Sequence, residues 1–236
     1  MPATEWGWLV EEDELDEWTL IDDEEITLIN KPGHLVCHPS KNGPCSSLVG
    51  AYKEIRGHEK AHLVSRLDRE TSGIVLFAKK RPVSRALQMA LQHRRVQKTY
   101  LAILEGRLEE SQFVDAAIGP DKKSVVHCKN TVKEDGKRQS AQTRLEPLYS
   151  SEDYTLAKIE PLTGRKHQIR VHAQFISHPI VGDKLYGPDE FIFLDFIETG
   201  WTDEMAQKLP LNRQALHAYQ MKFTLEDGEE KLFTAP

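Results

Sequence analysis

The sequence predicts an α+β fold in one large domain. Segments that favour strands outnumber those that favour helices, and they do not alternate with helices as a doubly wound parallel sheet requires. The chain has 236 residues, 39% of them hydrophobic and 29% charged, which is enough to bury a sizeable core. No repeat or low-complexity linker divides it. We therefore expect residues 1–17 to form a mobile acidic leader and residues 18–236 to form a single domain.

The first part of this domain predicts two strands and a helix. The segment WTLIDDEEITLINKPG, residues 18–33, predicts two short strands around an acidic turn, ended by Pro32 and Gly33. The segment SSLVGAYKEIRG favours a short helix that ends at Gly57.

The middle of the chain carries the clearest periodic patterns. Residues 74–78, IVLFA, form a continuous apolar run that is typical of an interior strand. The segment RPVSRALQMALQHRR places Pro82 at a favoured first helical position and repeats apolar residues at helical spacing. The segment QKTYLAILEG predicts a strand that ends at Gly106. Weaker strands are expected at residues 113–118, 124–128, 140–148 and 154–162.

The last third predicts two helices and a closing strand. The segment TGRKHQIRVHAQFISHP favours a helix that begins at residue 163 or 164. Its residues His167, Arg170 and Gln174 are spaced i, i+3 and i+7, so they share one side. A short helix is expected near residues 203–208, and LHAYQMKFTL supplies the last strand.

Composition and charge limit the possible functions. Three cysteines (Cys37, Cys45 and Cys128) cannot all pair, which predicts a reducing cytoplasm. The segment HLVCHPSKNGPC matches no standard zinc spacing, and no apolar stretch approaches 18 residues, so we expect neither a metal nor a membrane span. The net charge is −6, but residues 1–30 hold eleven acids and no Lys or Arg. Residues 62–98 hold nine Lys or Arg and two acids, which fits a polyanion partner or only a solvated surface.

One carboxylate in this basic segment stands out. The stretch VSRLDRETSGIVLFAKK places Asp68 between Arg66 and Arg69, directly before the predicted interior strand. Neighbouring guanidinium groups favour the ionised form of a carboxyl group. An ionised carboxylate at the rim of a sheet is either a surface ion-pair member or a nucleophile. The local sequence leaves both readings open.

Several segments together resemble the RluA-type pseudouridine synthase family. RLDRETSG resembles the family's Arg-Leu-Asp motif, which two variable positions separate from Thr-Ser-Gly. INKPGHLVCHPS, QKTYLAILEG, PLTGRKHQIRVHAQFISHPIVGDKLYG and LHAYQMKF resemble its other segments, in family order over residues 26–224. Ser65 departs from the family, which usually has His there. The resemblance implies a mixed, mainly antiparallel sheet flanked by helices, the pseudouridine synthase fold, without the S4 domain of some members.

The resemblance also implies an enzyme that isomerises uridine in RNA to pseudouridine. The N1–C1′ bond breaks, the base rotates in place, and C5 bonds to C1′, so neither a cofactor nor a metal is required. Asp68 would be the nucleophile or base on a flipped-out uridine. Arg170 would pair with Asp68 and keep it ionised, and Tyr100 would stack on the uracil. A half-buried strand tyrosine is the structural alternative for Tyr100.

The RNA contacts follow from the same resemblance. We expect a monomer that binds ribosomal or transfer RNA. Arg66 would enter the RNA stack, with a surface cation as the alternative. Arg165, Lys166 and His167 lie at the predicted helix start, where donors and the helix dipole favour phosphate, although a solvated helix end fits too. The remaining predicted RNA contacts are Lys31, Thr71 and Lys98.

Two other functions compete with this one. A non-catalytic RNA-binding module explains the basic segment but not an Asp embedded in a matching set of motifs. A glycoside or phosphoryl hydrolase that uses Asp68 needs a partner carboxylate, and the nearby candidate, Glu70, has no motif support. RNA specificity rests on shape and splayed bases, and we expect it in loops at residues 121–137 and 189–201.

Overall fold

The structure is a computed structural model, and it describes residues 8–38, 43–58, 62–133 and 139–236. The chain divides into two compact units. The first unit comprises Met1–Lys98 and His217–Pro236, and the second comprises Thr99–Leu216. Each unit buries its own apolar cluster between strands and helices. The predicted α+β fold class is confirmed.

Six helices and twelve strands lie in the described ranges. The helices are α1 (Glu12–Trp18), α2 (Leu48–Arg56), α3 (Arg81–Gln92), α4 (Gln168–Phe175), α5 (Phe191–Thr199) and α6 (Asp203–Lys208). The strands are β1 (Thr19–Asp22), β2 (Ile26–Lys31), β3 (His62–Leu63), β4 (Ser72–Ala78), β5 (Val96–Glu105), β6 (Gln112–Asp115), β7 (Ile118–Pro120), β8 (Asn130–Val132), β9 (Gln142–Ser150), β10 (Tyr154–Pro161), β11 (Leu216–Thr224) and β12 (Glu230–Thr234).

The sheet of the first unit is built around β4. All seven β4 residues are buried, which confirms the predicted interior strand. Strand β2 runs antiparallel to β4, with Lys31 opposite Gly73. Strand β11 runs parallel to β4, with Ala218 opposite Gly73. Strands β1 and β12 pair with β2 and β11, and the two residues of β3 pair with the far end of β4.

Gly73 is required by the approach of β11 to the start of β4. Its φ angle is +106°, and a Cβ atom there would lie 2.3 Å from the carbonyl oxygen of Ala218. Positive φ and this contact both exclude a larger side chain. The glycine of the RLDRETSG stretch therefore has a structural role immediately after the Asp68 segment.

The helices of the first unit agree with prediction except at the N-terminus. Helix α3 has a proline in its first turn and packs Leu87 and Ala90 against the core. Helix α2 is followed by Gly57 in the left-handed conformation. Part of the expected mobile leader is a helix instead: α1 begins at Glu12, and its Leu15 is fully buried. Residues 1–7 lie outside the described residues.

The second unit is an antiparallel sheet with helices and a small ribbon. Its sheet has the strand order β5–β10–β9–β6. Helix α4 contributes Ile169 and Ala173 to the apolar cluster of this sheet. Strands β7 and β8 form a separate two-stranded ribbon. Helices α5 and α6 pack on each other through Phe196 and Met205.

Two predictions of secondary structure were wrong among the described residues. The strand expected at residues 124–128 does not form, and the expected loop at 189–201 contains α5. Strands β3, β8 and β12 were not predicted. In the ranges that the structure describes, no helix combines the length and the hydropathy that a membrane crossing needs.

Candidate active site

The Asp68 loop, residues 64–71, is anchored by backbone contacts within the first unit. The backbone N–H of Leu67 donates to Cys37 Sγ, and Cys37 Sγ donates to the carbonyl oxygen of Leu67, both at 3.5 Å. Arg69 Nε donates to the carbonyl oxygen of His34 at 3.2 Å. A hydrogen bond from Thr71 N to the carbonyl oxygen of Asp68 closes the turn at 3.2 Å. Asp68 itself is half-buried.

Lys31 is a further anchor of this loop. Lys31 of β2 pairs with Gly73, so it lies beside the start of β4, directly after the loop. Its side chain is 0% exposed. Its Nζ donates to the carbonyl oxygens of Pro32, Leu35 and Arg69 at 2.7, 2.8 and 3.1 Å. The ammonium is therefore buried on backbone oxygens, and the contact between Lys31 and RNA stays a prediction.

The other predicted RNA-binding residues of the first unit differ in exposure. Arg66 is exposed, as a contact with RNA requires. Thr71 is 2% exposed, and its contact with RNA stays a prediction. Lys98 is partly buried, and burial lowers the pKa of its ammonium group, which is unlike a lysine on an open phosphate-binding surface.

Helix α4 of the second unit begins later than predicted because Gln168 organises the preceding turn. Its Oε1 accepts hydrogen bonds from Thr163 Oγ1 at 2.7 Å and from Arg165 N at 3.0 Å. Its Nε2 donates to the backbone of β9 at 2.8 Å. His167 adopts the left-handed conformation and precedes the helix. Residues 165–167 thus form a turn before α4 and do not occupy its first turn, contrary to the prediction.

The Arg170 cluster consists of His167, Arg170, Gln174, Asp183 and Tyr186, all in the second unit. Arg170 Nε and Nη2 donate to the two oxygens of Asp183 at 2.6 and 2.8 Å. The Arg170 Cζ atom lies 4.8 Å from the centre of the Tyr186 ring. Gln174 Nε2 donates to the carbonyl oxygen of Tyr186, and His167 Nδ1 lies 2.9 Å from Tyr186 Oη. The three residues that were predicted to share a side thus all contact residues 183–186.

The electrostatics of the cluster keep Asp183 ionised. Burial by itself raises the pKa of the Asp183 carboxyl group, but the Arg170 guanidinium and two backbone N–H groups outweigh it and lower that pKa below the ordinary value. These N–H groups belong to Leu185 and Tyr186, and both donate to Asp183 Oδ1 at 3.0 Å. Burial raises the pKa of Tyr186, so its hydroxyl stays protonated. A charged carboxylate and an aromatic face together fix the guanidinium plane.

Sequence reasoning had assigned no role to Asp183 or Tyr186. The available signal was the pair of glycines that bracket them in VGDKLYG. Gly182 has a φ angle of +75°, and a Cβ atom on Gly187 would lie 2.3 Å from the carbonyl oxygen of Asp183. Both glycines indicate a tightly folded turn, and tight turns with a buried acid often hold a fixed partner.

Tyr100 lies on β5 opposite Ile159 of β10. It is partly buried and packs against the apolar cluster of the second unit. This position agrees with the structural alternative and leaves part of the side chain accessible. Its stacking on uracil stays a prediction.

Potential metal ligands are scattered among the described residues. No group of three or more His, Cys, Asp or Glu side chains in those ranges is arranged to hold a metal ion. The three cysteines are free thiols. Burial raises the pKa of Cys37, which makes it a neutral anchor of the Asp68 loop and a poor thiolate ligand.

Comparison with known proteins identifies the family. A family model described as RNA pseudouridylate synthase matches residues 25–175, more than half of the chain. The chain belongs to this family, which confirms the resemblance found in the sequence. This range contains Asp68, Tyr100 and Arg170 but not Asp183 or Tyr186.

Individual relatives agree with this assignment. The chain is 35% identical over 226 residues to the ribosomal large subunit pseudouridine synthase C of Pasteurella multocida, and the match covers 94% of this chain and 65% of that relative. It is 34% identical over 221 residues to synthase D of Vibrio parahaemolyticus, covering 91% of this chain and 65% of that one. The chain thus spans slightly less than two thirds of these relatives. The solved structure of human RNA pseudouridylate synthase domain containing 4 matches with a TM-score of 0.71 and 26% identity, over 95% of this chain and 90% of that one.

Proposed function

We propose that this protein converts uridine in RNA to pseudouridine, with Asp68 as the nucleophile or base. The observation that carries the proposal is the anchoring of the Asp68 loop. A half-buried carboxylate stands on a turn that is fixed by Lys31, Cys37 and Arg69, and the loop belongs to a chain of the pseudouridylate synthase family. A fixed carboxylate favours reaction because a nucleophile gains most from being held in a near-attack position.

The proposed reaction conserves the atoms of the nucleotide. The N1–C1′ bond of a flipped-out uridine breaks, the uracil turns, and C5 bonds to C1′. The hydrogen on C5 leaves as a proton, and N1 gains a proton. Asp68 would act at the sugar or the ring, and the part-exposed ring of Tyr100 would stack on the uracil while it is detached. Arg66, which is exposed beside Asp68, would fill the gap in the RNA stack.

We further propose that Arg170 pairs with Asp68. Arg170 suits this role because it is permanently charged, nearly buried and held in one plane by Asp183 and Tyr186. Removing it would also leave Asp183 as a buried charge without its guanidinium partner, which costs about 3–5 kcal/mol in comparable buried pairs. Arg170→Ala should therefore lose both turnover and stability, whereas Arg170→Lys should keep more stability than turnover.

Large-subunit ribosomal RNA is the first substrate to test, because several relatives are named as ribosomal large subunit pseudouridine synthases. Transfer RNA is the second. In either case a cytoplasmic monomer that needs no cofactor is the proposed form.

The decisive experiment compares Asp68→Asn with Glu70→Gln, a matched loss of charge two positions along the same loop. Each protein is incubated with unmodified transcripts of bacterial large-subunit ribosomal RNA and, separately, of transfer RNAs. Pseudouridine is then measured by mass spectrometry of digested nucleosides. Wild type and Glu70→Gln should form pseudouridine, and Asp68→Asn should form none while it keeps its fold and its RNA affinity. Full turnover by Asp68→Asn would contradict the assignment. Binding without pseudouridine by wild type would favour a non-catalytic RNA-binding module.

A further inference from the structure

We propose that an open cleft in the second unit binds one nucleotide of the substrate RNA other than the target uridine. The inference rests on the proposed function and adds a specific RNA subsite to it. The cleft has a volume of about 550 Å³ and lies between the β7–β8 ribbon and the turn that precedes α4. Its lining residues are Ile118, Gly119, Pro120, Asn130, Gln139, Arg165 and Lys166.

Hydrogen bonds hold the two sides of the cleft together. Asn130 Nδ2 donates to the carbonyl oxygen of Lys166 at 3.1 Å, and Arg165 Nε donates to the carbonyl oxygen of Ser140 at 2.9 Å. The backbone N–H of Asn130 donates to Tyr186 Oη at 2.9 Å. The Asn130–Lys166 contact ties the ribbon directly to the turn, and the other two tie the turn to Ser140 and the ribbon to Tyr186. The cleft is therefore a preformed feature and needs little ordering when a ligand binds.

The cationic rim suits a phosphate group. Arg165 uses Nε in the contact with the backbone, which leaves its Nη1 and Nη2 edge for a phosphate. The Lys166 side chain is exposed. Within the described ranges, no salt bridge joins either cation to a carboxylate. Residues 119–133 hold four lysines and one acid, Asp121. Lys129 forms an ion pair with Glu190, and the other three, Lys122, Lys123 and Lys133, add positive charge to this part of the chain.

The rest of the lining suits a base. Ile118 is almost fully buried and, with Pro120, gives the cleft an apolar wall. The side-chain amides of Asn130 and Gln139 add hydrogen-bonding groups that can read the edge of a base. None of the lining residues is acidic. Apolar wall, amides and cations together match a nucleotide better than a free inorganic anion, which would need no apolar wall, or a basic peptide, which would need acids.

The cleft is also connected to the Arg170 cluster. Tyr186 accepts the hydrogen bond from Asn130 on the cleft side, and its ring lies against the Arg170 guanidinium. A nucleotide seated in the cleft would therefore hold the RNA in register with the residue that we propose as the partner of Asp68. The cleft would contribute affinity and register, and it would take no part in bond making.

The first experiment maps RNA contacts directly on the wild-type protein. A transcript of large-subunit ribosomal RNA that contains 4-thiouridine is crosslinked by ultraviolet light, and the crosslinked peptides are identified by mass spectrometry. We expect crosslinks at residues 118–120, 130 or 165–166. Crosslinks confined to peptides outside these positions would overturn the inference.

The second experiment compares Lys166→Gln with Lys208→Gln, since each removes one charge from an exposed lysine of the second unit and only Lys166 lines the cleft. Lys166→Gln should weaken RNA binding about fivefold and reduce the slope of log Kd against log salt by about 0.7–0.9, as expected for one lost phosphate contact. Lys208→Gln should match wild type in both measurements, and equal affinities of the two variants would contradict the proposal.

The two experiments separate the subsite from the catalytic proposal. Crosslinks in the cleft, together with no pseudouridine from wild type, would keep the subsite and refute the proposed function. Pseudouridine formation without crosslinks in the cleft, and with an unchanged Kd for Lys166→Gln, would keep the function and refute the subsite.

Discussion

Replacing Lys31 by Met should loosen the Asp68 loop while it keeps most of the buried volume. The ammonium group of Lys31 is fully buried and donates to three backbone carbonyl oxygens, of Pro32, Leu35 and Arg69. The Arg69 contact holds the residue that follows Asp68. Methionine has a similar length and no charge, so it leaves these oxygens without the cation.

The magnitude follows from the contacts. A hydrogen bond to a charged group contributes about 1.5–3 kcal/mol, so three of them set an upper limit of roughly 5–9 kcal/mol. Removing the lysine also removes the cost of burying an ammonium group, which is several kcal/mol. We therefore expect a net loss of about 3–5 kcal/mol. For a chain of this size, 1 kcal/mol corresponds to about 2–4 °C, so the Tm should fall by roughly 6–20 °C.

The assay measures Tm by circular dichroism and pseudouridine formation at a temperature at which the variant is folded. Lys184→Met is the matched control, because Lys184 is also buried, donates to the carbonyl oxygen of Asn212 at 2.6 Å, and belongs to the second unit. Both variants should lose stability, but only Lys31→Met should lose kcat while folded. A Lys31→Met protein with wild-type Tm and kcat would refute the anchoring role, and an equal loss of kcat in both variants would show a general effect of stability.

Three other predictions concern stability. Burial lowers the pKa of His172, so the unfolded state binds a proton more readily, and the Tm should fall as the pH drops below about 6.5. His172→Gln should reduce the slope of Tm against pH in melts between pH 5 and 8, and an unchanged slope would contradict this role of His172. Gly73→Ala should lower the free energy of unfolding in urea by at least 3 kcal/mol, on the order of the larger single-substitution losses, because its Cβ would collide with β11. Gly57 also has a positive φ but lies in open space, so Gly57→Ala should lower it by about 1 kcal/mol. Asp183→Asn should cost about 3–5 kcal/mol in the same assay because it leaves the Arg170 guanidinium without its carboxylate, and a loss below 1 kcal/mol would exclude a buried ion pair.

Local sequence patterns predicted the helices and strands that depend mainly on residues close together in the sequence. The interior strand β4, the helix α3 after Pro82 and the short helix α6 were predicted within a few residues of their observed bounds. The strand expected at residues 124–128 failed for a long-range reason. Glu190 accepts hydrogen bonds from Ser124 Oγ and from the backbone N–H of Val125, and it forms an ion pair with Lys129 at 2.7 Å. No local pattern reveals a partner more than sixty positions away.

Helix α5 was missed because its sequence has no amphipathic period. The segment FIFLDFIET is apolar on most sides, and its first residue is largely exposed while Ile192 and Phe196 are buried. A short apolar run of this kind does not distinguish a helix from a strand. Its polar flanks then favoured a loop.

The candidate site divides in the same way. Motif resemblance selected Asp68 and Arg170, and both lie on segments that the structure fixes by buried contacts. It could not reveal that Lys31 binds carbonyl oxygens, since that depends on the pairing of β2 with β4. Nor could it place the start of α4, which Gln168 sets by reaching β9. The sequence was enough to predict which residues belong to the site, but their hydrogen-bond and ion-pair partners could be found only from the folded structure.

Among the described residues, three buried cations stabilise polar segments, and they do so with different partners. Lys31 binds carbonyl oxygens, Arg170 binds the carboxylate of Asp183, and Lys184 binds a carbonyl oxygen and lies 4.3 Å from the centre of the Phe196 ring. A buried charge is costly unless such partners are present.

These partners determine how the segments respond to pH. Carbonyl oxygens and aromatic rings do not titrate, and the lowered pKa of Asp183 keeps its pair with Arg170 intact until the pH falls below the ordinary carboxyl range. Stability from Asp183 is present above its unfolded pKa of about 3.9 and is lost only as the pH falls through its lower folded value. Between pH 5 and 8 the ion pair that holds Arg170 therefore keeps its charges. A change in turnover across that interval therefore does not come from this pair, whereas protonation of His172 weakens the fold as the pH falls.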